Sequence, residues 1–277
     1  MTPAARKAAV QQLQVEHGYS QRRACRLTQC NRSTARHSST RCDDSALRER
    51  LKVLAQERQR WGYRLLGAAL RREGHQVNHK RLYRLYKEEK LELRPKHKHR
   101  KRLKSAKRGR PAATKLNEVW TMDFMSDTLC DGRRFRTLNV IDVWSRQCLG
   151  IEVDTSLSSR RVVRVLDELV QRHGKPQLLQ IDNGPEFRSQ MLDLWAKRHG
   201  VELHFIDPGK PTQNGHIESF NGRFREECLS QEWFTSLQEV RQVVGTWRVE
   251  YNTQRPHSSL AYIPPAVWAQ QQQTLSL

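Results

Sequence analysis

No stretch of this 277-residue chain is apolar over the roughly 18–20 residues that a bilayer-spanning helix needs, and no secretory hydrophobic region is present. Cysteine is sparse: six residues, at 25, 30, 42, 130, 148 and 228, with no CxxC pair among them. That pattern, without a secretory region, fits reduced thiols in a cytosolic protein best. His75 and His79 have the i, i+4 spacing of zinc ligands, but no CxxC follows them, so no structural zinc is expected. Acidic residues are scarce only in one part of the chain. Residues 1–110 carry 31 Lys/Arg against 9 Asp/Glu, whereas residues 111–277 carry 19 against 20. The whole formal charge of +21 therefore belongs to the first 110 residues. A basic arm joined to a charge-balanced body points to a nucleic-acid partner, although charge alone does not separate DNA from RNA.

The basic part reads as helical. In residues 1–44, Ser20 and Asn31 stand as N-caps before QRRACRLTQ and RSTARH, which gives a helix-turn-helix or, equally, a basic tail. Residues 45–93 are more strongly patterned. Leu47, Leu51 and Leu54 share a face, Leu65, Leu66, Ala69 and Leu70 share another, and Gly74 stops the second helix. Asn78 caps HKRLYRLYKEEKL, with Leu82, Leu85 and Tyr86 on one side and Lys80, Arg81 and Arg84 largely on the other. Such a capped basic third helix suits major-groove DNA binding, and a three-helix protein-binding domain shares the pattern. Residues 94–116 form a linker whose RPKHKHRKRLKSAKRGR run has ten basic residues and no acid, with Lys98, Arg100, Lys101 and Arg102 as expected phosphate contacts.

From residue 117 the pattern turns to strands. EVWTMDFM, FRTLNVIDVWS and CLGIEVD predict an antiparallel meander. A helix at 158–173 then precedes the strand QLLQID, a helix at about 189–199, the strand VELHFID and a helix from about 215. The order β-β-β-α-β-α-β-α predicts an α/β fold, a mixed five-stranded sheet with flanking helices. The body is divided at 117–235, with 236–277 as a C-terminal helical extension.

Three acids stand where metal-assisted phosphoryl transfer would need them. That chemistry uses carboxylates converging from different elements on hard cations, with water or a 3′-hydroxyl as nucleophile. Asp123 lies in mid-strand between Met122 and Phe124, a costly position unless it is paired or metal-bound. Asp182 ends a strand, where open sheets place ligands. Glu218 lies on an amphipathic helix that follows a Gly/Pro loop, in one stripe with Asn221, Gly222 and Arg225. Asp142, Asp154 and Glu186 qualify by residue type as well.

WTMDFM, IDNGPEF and GHIESFNGRFREECL resemble the three blocks of the retroviral-integrase superfamily catalytic core, with thirty-five residues between Asp182 and Glu218. WGYRLLGAALRREG and the tail YNTQRPHSSLAYIPPAVWA resemble the second-frame product (OrfB) of insertion-sequence-three family transposases, so the likeness covers roughly residues 45–270. The resemblance implies an RNase H-like core in which Asp123, Asp182 and Glu218 bind two Mg²⁺, or Mn²⁺. It implies cleavage of transposon-end DNA and attack on a second strand by the freed 3′-hydroxyl. Arg225 and Asn221 would meet DNA, and Asn183 and His216 would support the carboxylates. The implied partners are terminal inverted repeats, target DNA, further copies of the chain and the upstream-frame product (OrfA), in the cytoplasm at the nucleoid. A DNA-binding regulator that uses only residues 1–110, and a structure-selective nuclease, are the competing readings.

Overall fold

The computed structural model describes residues 2–37, 43–93, 113–207 and 214–275. The chain forms two compact units, Met1–Ala46 and Leu47–Leu277. In the first, α1 (Pro3–His17) starts at Thr2, whose hydroxyl accepts from Ala5 N, and stops at left-handed Gly18. Ser20 and Asn31 cap α2 (Gln21–Leu27) and α3 (Arg32–Arg36) through their side chains. Val10, Ala24, Cys25 and Cys30 form a small core.

The larger unit begins with three helices, α4 (Ser45–Glu57), α5 (Tyr63–Arg72) and α6 (His79–Glu88). Leu51, Leu54, Leu66, Leu70, Leu82, Leu85 and Trp61 close their common core. Asn78 Oδ1 accepts from Lys80 N at 2.9 Å, so the third helix starts where a side-chain cap dictates.

Strands β1 (Val119–Thr128), β2 (Arg134–Asp142), β3 (Cys148–Asp154), β4 (Leu178–Ile181) and β5 (Glu202–Phe205) form one sheet in the order β3-β2-β1-β4-β5. The first three are antiparallel, and β4 and β5 run parallel to β1 and to each other, which is the expected mixed sheet. Side chains alternate across a strand. Trp120 and Met122 therefore enter one core, with α7 (Ser159–His173) and α8 (Gln190–His199), while Met125 enters the other. That second core is built with α9 (Gly215–Phe224), its π-helical continuation Arg225–Leu229, and α10 (Leu237–Thr253).

Sequence reading sets residues 236–277 apart, yet α10 belongs to this second core through Val240, Val244, Trp247 and Tyr251. It also closes the open edge of β3. The Asn252 amide accepts from Cys148 N at 2.9 Å and donates to Cys148 O at 2.8 Å, in place of a neighbouring strand. Arg248 and Arg241 donate to Leu149 O and Val153 O further along the same edge. An exposed edge would invite pairing with another chain, and a helix over it prevents that. The last described element is α11 (Pro265–Leu275), which follows the buried stretch Arg255–His257.

Arg255 of that segment is 6% exposed and donates from Nε and Nη2 to Glu227 at 2.6 and 2.5 Å. Removing one partner of a buried pair strands the other charge, at a cost of about 3 kcal/mol, whereas replacing both by apolar groups is often neutral. Arg255→Ala should lower the midpoint of chemical denaturation accordingly, and the double variant Arg255→Met/Glu227→Leu should recover most of the loss. Equal destabilisation of single and double variants would contradict this account.

Candidate active site

β1 carries the first of the three acids on the face that turns toward α9. Asp123 alternates with Trp120 and Met122 in the same way as Met125, so it faces the second core and not the first. The partner strand places Asn139 directly opposite. Asn221 of α9 sits above both: its Nδ2 donates to Asp123 Oδ2 at 2.8 Å, and its Oδ1 accepts from Asn139 Nδ2 at 2.7 Å. The other Asp123 oxygen accepts from Phe124 N at 2.8 Å. Both carboxylate oxygens are thus oriented by neutral donors. The start of α9 is tied to the same strand, where the buried Thr121 hydroxyl donates to Asn214 Oδ1 at 2.7 Å.

Asp182 follows β4 directly, as expected for the carboxyl end of a parallel strand. Gly184 N donates to its Oδ1 at 2.9 Å, and a Cβ on Gly184 would come within 3.0 Å of that oxygen. A side chain at the glycine of IDNGPEF would therefore crowd the carboxylate that its backbone approaches. Glu218 lies in the first turn of α9 and is exposed. Burial pushes the Asp123 carboxyl up to about 6, and the neighbouring charges of Asp182 and Glu218 add to that rise, against the Phe124 and Asn221 hydrogen bonds. The three acids, from a central strand, a strand end and a helix, therefore share one electrostatic neighbourhood. Among the described residues no three His, Cys, Asp or Glu side chains close on a single metal-sized point.

The other acids are used elsewhere. Asp142 is fully buried and accepts from Ser145 N and Oγ, both at 2.7 Å, and from Asn117 N at 3.0 Å, which fixes the β2–β3 turn. Asp154 pairs with Arg161, and Glu186 with Arg136.

The polar stripe expected on α9 divides. Asn221 is buried, with both ends of its amide committed to Asp123 and Asn139, so it positions the carboxylate and does not present itself to DNA. Its role follows from contacts between residues distant in sequence, which spacing along a helix does not reveal. Arg225 remains half exposed and holds the β1 end through Ser126 O and Asp127. Asn183 spans the loop, donating to Ile206 O at 2.7 Å and accepting from Arg188 at 2.6 Å. His216 is turned away from Asp123 toward Arg146, whose Nη1 lies 2.5 Å from its Nδ1. On α6, Lys80 is exposed, and Arg84 is paired with Glu88 at 2.9 Å. Lys98, Arg100, Lys101 and Arg102 lie outside the described residues.

Two integrase core-domain models match residues 113–211 and 199–265, and an HTH-like domain model matches 42–99. The protein of insertion element IS407 from Burkholderia multivorans is 46% identical over 256 residues, covering 90% of each chain. The chain belongs to the insertion-element transposases that carry an integrase core domain. The putative transposase InsK of Escherichia coli insertion element IS150 is 27% identical over 235 residues, covering 79% of this chain and 81% of that one. Among solved structures, a chain of the simian T-cell lymphotropic virus intasome, in complex with PP2A regulatory subunit B56 gamma, aligns with a TM-score of 0.53. It is 14% identical and covers 79% of this chain and 74% of that one, a likeness of fold. This transposase is accordingly a DDE-type polynucleotidyl transferase by family, and no described helix is long and apolar enough to cross a membrane.

The raised position of Asp123 sets a pH dependence. Its folded pKa lies above the ordinary 3.8, so its protonated form favours the fold. That contribution is complete below the ordinary value and is lost as pH rises through about 6. In metal-free protein, Asp123→Asn should raise stability at about pH 7.5 by up to about 3 kcal/mol, read as a higher thermal midpoint, and have little effect below about pH 4. A gain that did not depend on pH would rule out the charge as its cause.

Proposed function

We propose that Asp123, Asp182 and Glu218 are the catalytic carboxylates of DNA cleavage and strand transfer in this transposase. The observation that carries the reading is their convergence from β1, the end of β4 and α9 into one electrostatic neighbourhood. The thirty-five residues between Asp182 and Glu218 support it.

The donor set fits divalent magnesium or manganese, since it offers hard carboxylate oxygens and no thiolate or imidazole. Asp123, Asp182 and Glu218 would hold these ions, two of them in the chemistry that such carboxylate sets commonly serve. When bound, the ions would stabilise charge on the attacking and leaving oxygens of an in-line displacement at phosphorus. The side chains supply the rest. Asn221 holds the Asp123 carboxylate in one rotamer while leaving lone pairs on Oδ2 for a cation. Gly184 N–H does the same for Asp182. Mutual repulsion makes the unliganded cluster costly, so the site is poised to accept positive charge. The nucleophile is water for cleavage and a DNA 3′-hydroxyl for joining, and no side chain is acylated or phosphorylated.

The same reading assigns the DNA. Terminal inverted repeats would meet the helical region of residues 45–93 and the basic linker, with Lys80, Arg81, Arg84, Lys98, Arg100, Lys101 and Arg102 on the backbone. Arg225 would lie beside the scissile strand. Two DNA ends and a target imply a homo-oligomer, and the upstream-frame product (OrfA) is the expected protein partner.

Asp182→Asn should abolish Mg²⁺-dependent cleavage and joining of a terminal-repeat duplex, by roughly a thousandfold or more, with duplex binding retained. Full strand transfer by that variant would overturn the assignment. Cleavage of an RNA–DNA hybrid in preference to the terminal-repeat duplex would favour a structure-selective nuclease instead.

A further inference from the structure

Backbone pairing stops short of the two strand-borne acids. β1 and β4 are in parallel register over Val119–Thr121 and Leu178–Gln180, and two more residues of that register would set Asp123 against Asp182. Beyond the ladder, the contacts that hold the two segments together lie on the face of β1 opposite Asp123. Phe124, whose N–H donates to Asp123 Oδ1, turns its ring to the first core. Phe187, fully buried five residues after Asp182, stacks on that ring with centroids 4.8 Å apart and planes inclined by 12°.

Arg136 of β2 joins the same two segments. It stands diagonal to Phe124 on one face of the sheet, and its guanidinium carbon lies 4.4 Å from the Phe124 ring centroid. Its Nη1 pairs with Glu186 Oε1. The turn that carries Glu186 is compact. Phe187 N and Arg188 N donate to Gly184 O at 3.0 and 3.1 Å, and Gly184 N donates to Asp182 Oδ1. A Cβ at Gly184 would stand 3.0 Å from Asp182 Oδ1 and 3.5 Å from Glu186 Oε2, so Glu186 places a fourth carboxylate beside Asp182. One guanidinium therefore grips both the residue after Asp123 and the turn that orients Asp182.

We propose that Arg136 and Glu186 are positioning residues for strand cleavage and joining. Their ion pair, seated on Phe124, clamps the Asp182 turn against β1 and sets the spacing of Asp123 and Asp182. The inference rests on the reading of those two acids as catalytic carboxylates. A purely electrostatic role for the same pair differs from a clamp in sign. Glu186 adds negative charge beside Asp182, and Arg136 offsets it. If charge alone mattered, removing Arg136 would lower the demand for Mg²⁺, and removing Glu186 would raise it. Loss of a clamp loosens the turn whichever partner is removed, so both changes raise the demand.

Full-length wild-type protein is compared with Arg136→Met, Glu186→Gln and the conservative Arg136→Lys. The paired side chains are 31% and 21% exposed, so the thermal midpoint should fall by no more than about 3 °C in any variant. In metal-free protein, amide exchange across residues 183–188 should be about fivefold faster in Arg136→Met and Glu186→Gln, with Arg136→Lys close to wild type. The Mg²⁺ concentration for half-maximal cleavage of a terminal-repeat duplex should rise severalfold in the same two variants. Duplex binding and the rate at saturating Mg²⁺ should be kept. Unchanged exchange in both variants would overturn the clamp. So would Mg²⁺ requirements that move in opposite directions, or a fall in thermal midpoint with the Mg²⁺ requirement unchanged, which marks a merely structural pair. Asp182→Asn, run alongside, tests the catalytic reading separately: if it still cuts, that reading fails and the exchange result stands.

Discussion

A carboxylate in the middle of a central strand is unstable there unless something charged or hydrogen-bonding meets it. Asp123 occupies that position, and burial there raises its pKa. Neighbouring Asp182 and Glu218 make the situation worse, since each adds negative charge. Neutral donors offset part of the cost, namely Phe124 N–H and the Asn221 amide. Much of the surrounding architecture serves to keep those donors in place. Asn139, fully buried on β2, fixes the Asn221 amide, and Thr121 on β1 fixes the start of the helix that carries it. Further relief from the repulsion comes from protonation of Asp123 or from a cation. Ligand binding and the electrostatics of the fold are therefore one problem at this site.

The position of α9 depends in turn on what lies behind it. Phe220 and Phe224 pack against Trp247 and Tyr251 of α10, with ring centroids 4.9 to 5.7 Å apart. α10 is held to the sheet by the Asn252 amide on the β3 edge. One helix thus both protects an edge strand and backs the helix that supplies Glu218. Its C-terminal end also meets the α4–α6 region of the same unit, where Arg58 pairs with Glu250 and Arg72 donates to Gln254 O at 3.0 Å. Displacing α10 would be felt at the carboxylates although none of its residues touches them.

The parts legible in sequence are those fixed by local rules. Period-two alternation and turn residues mark the meander, capping residues mark the helix starts, and the acids at 123, 182 and 218 stand out by element type and spacing. The rest depends on pairings across long separations. Nothing near Asn221 in the chain reveals that its partners are 82 and 98 residues away, so helical spacing alone assigns it to an exposed stripe. His216 is adjacent to the right residues in sequence, but the 100° step of the helix turns it to the wrong face. Asp142 passes every local criterion that Asp123 passes, and only the three donors converging on it show a turn-fixing role. The interior role of α10 is hidden for a related reason. Its apolar residues predict a buried face without saying that the sheet edge is what it buries.

The three faces of α9 explain why so much conspicuous sequence lies in one short helix. Ile217, Phe220 and Phe224 anchor it in the core, and Glu218 and Asn221 serve the carboxylate cluster. His216, Ser219 and Arg223 line a cavity on the remaining side. A ten-residue helix has fewer than three turns, so no residue on it is far from any other, and a group bound on one side acts on the orientation of the whole.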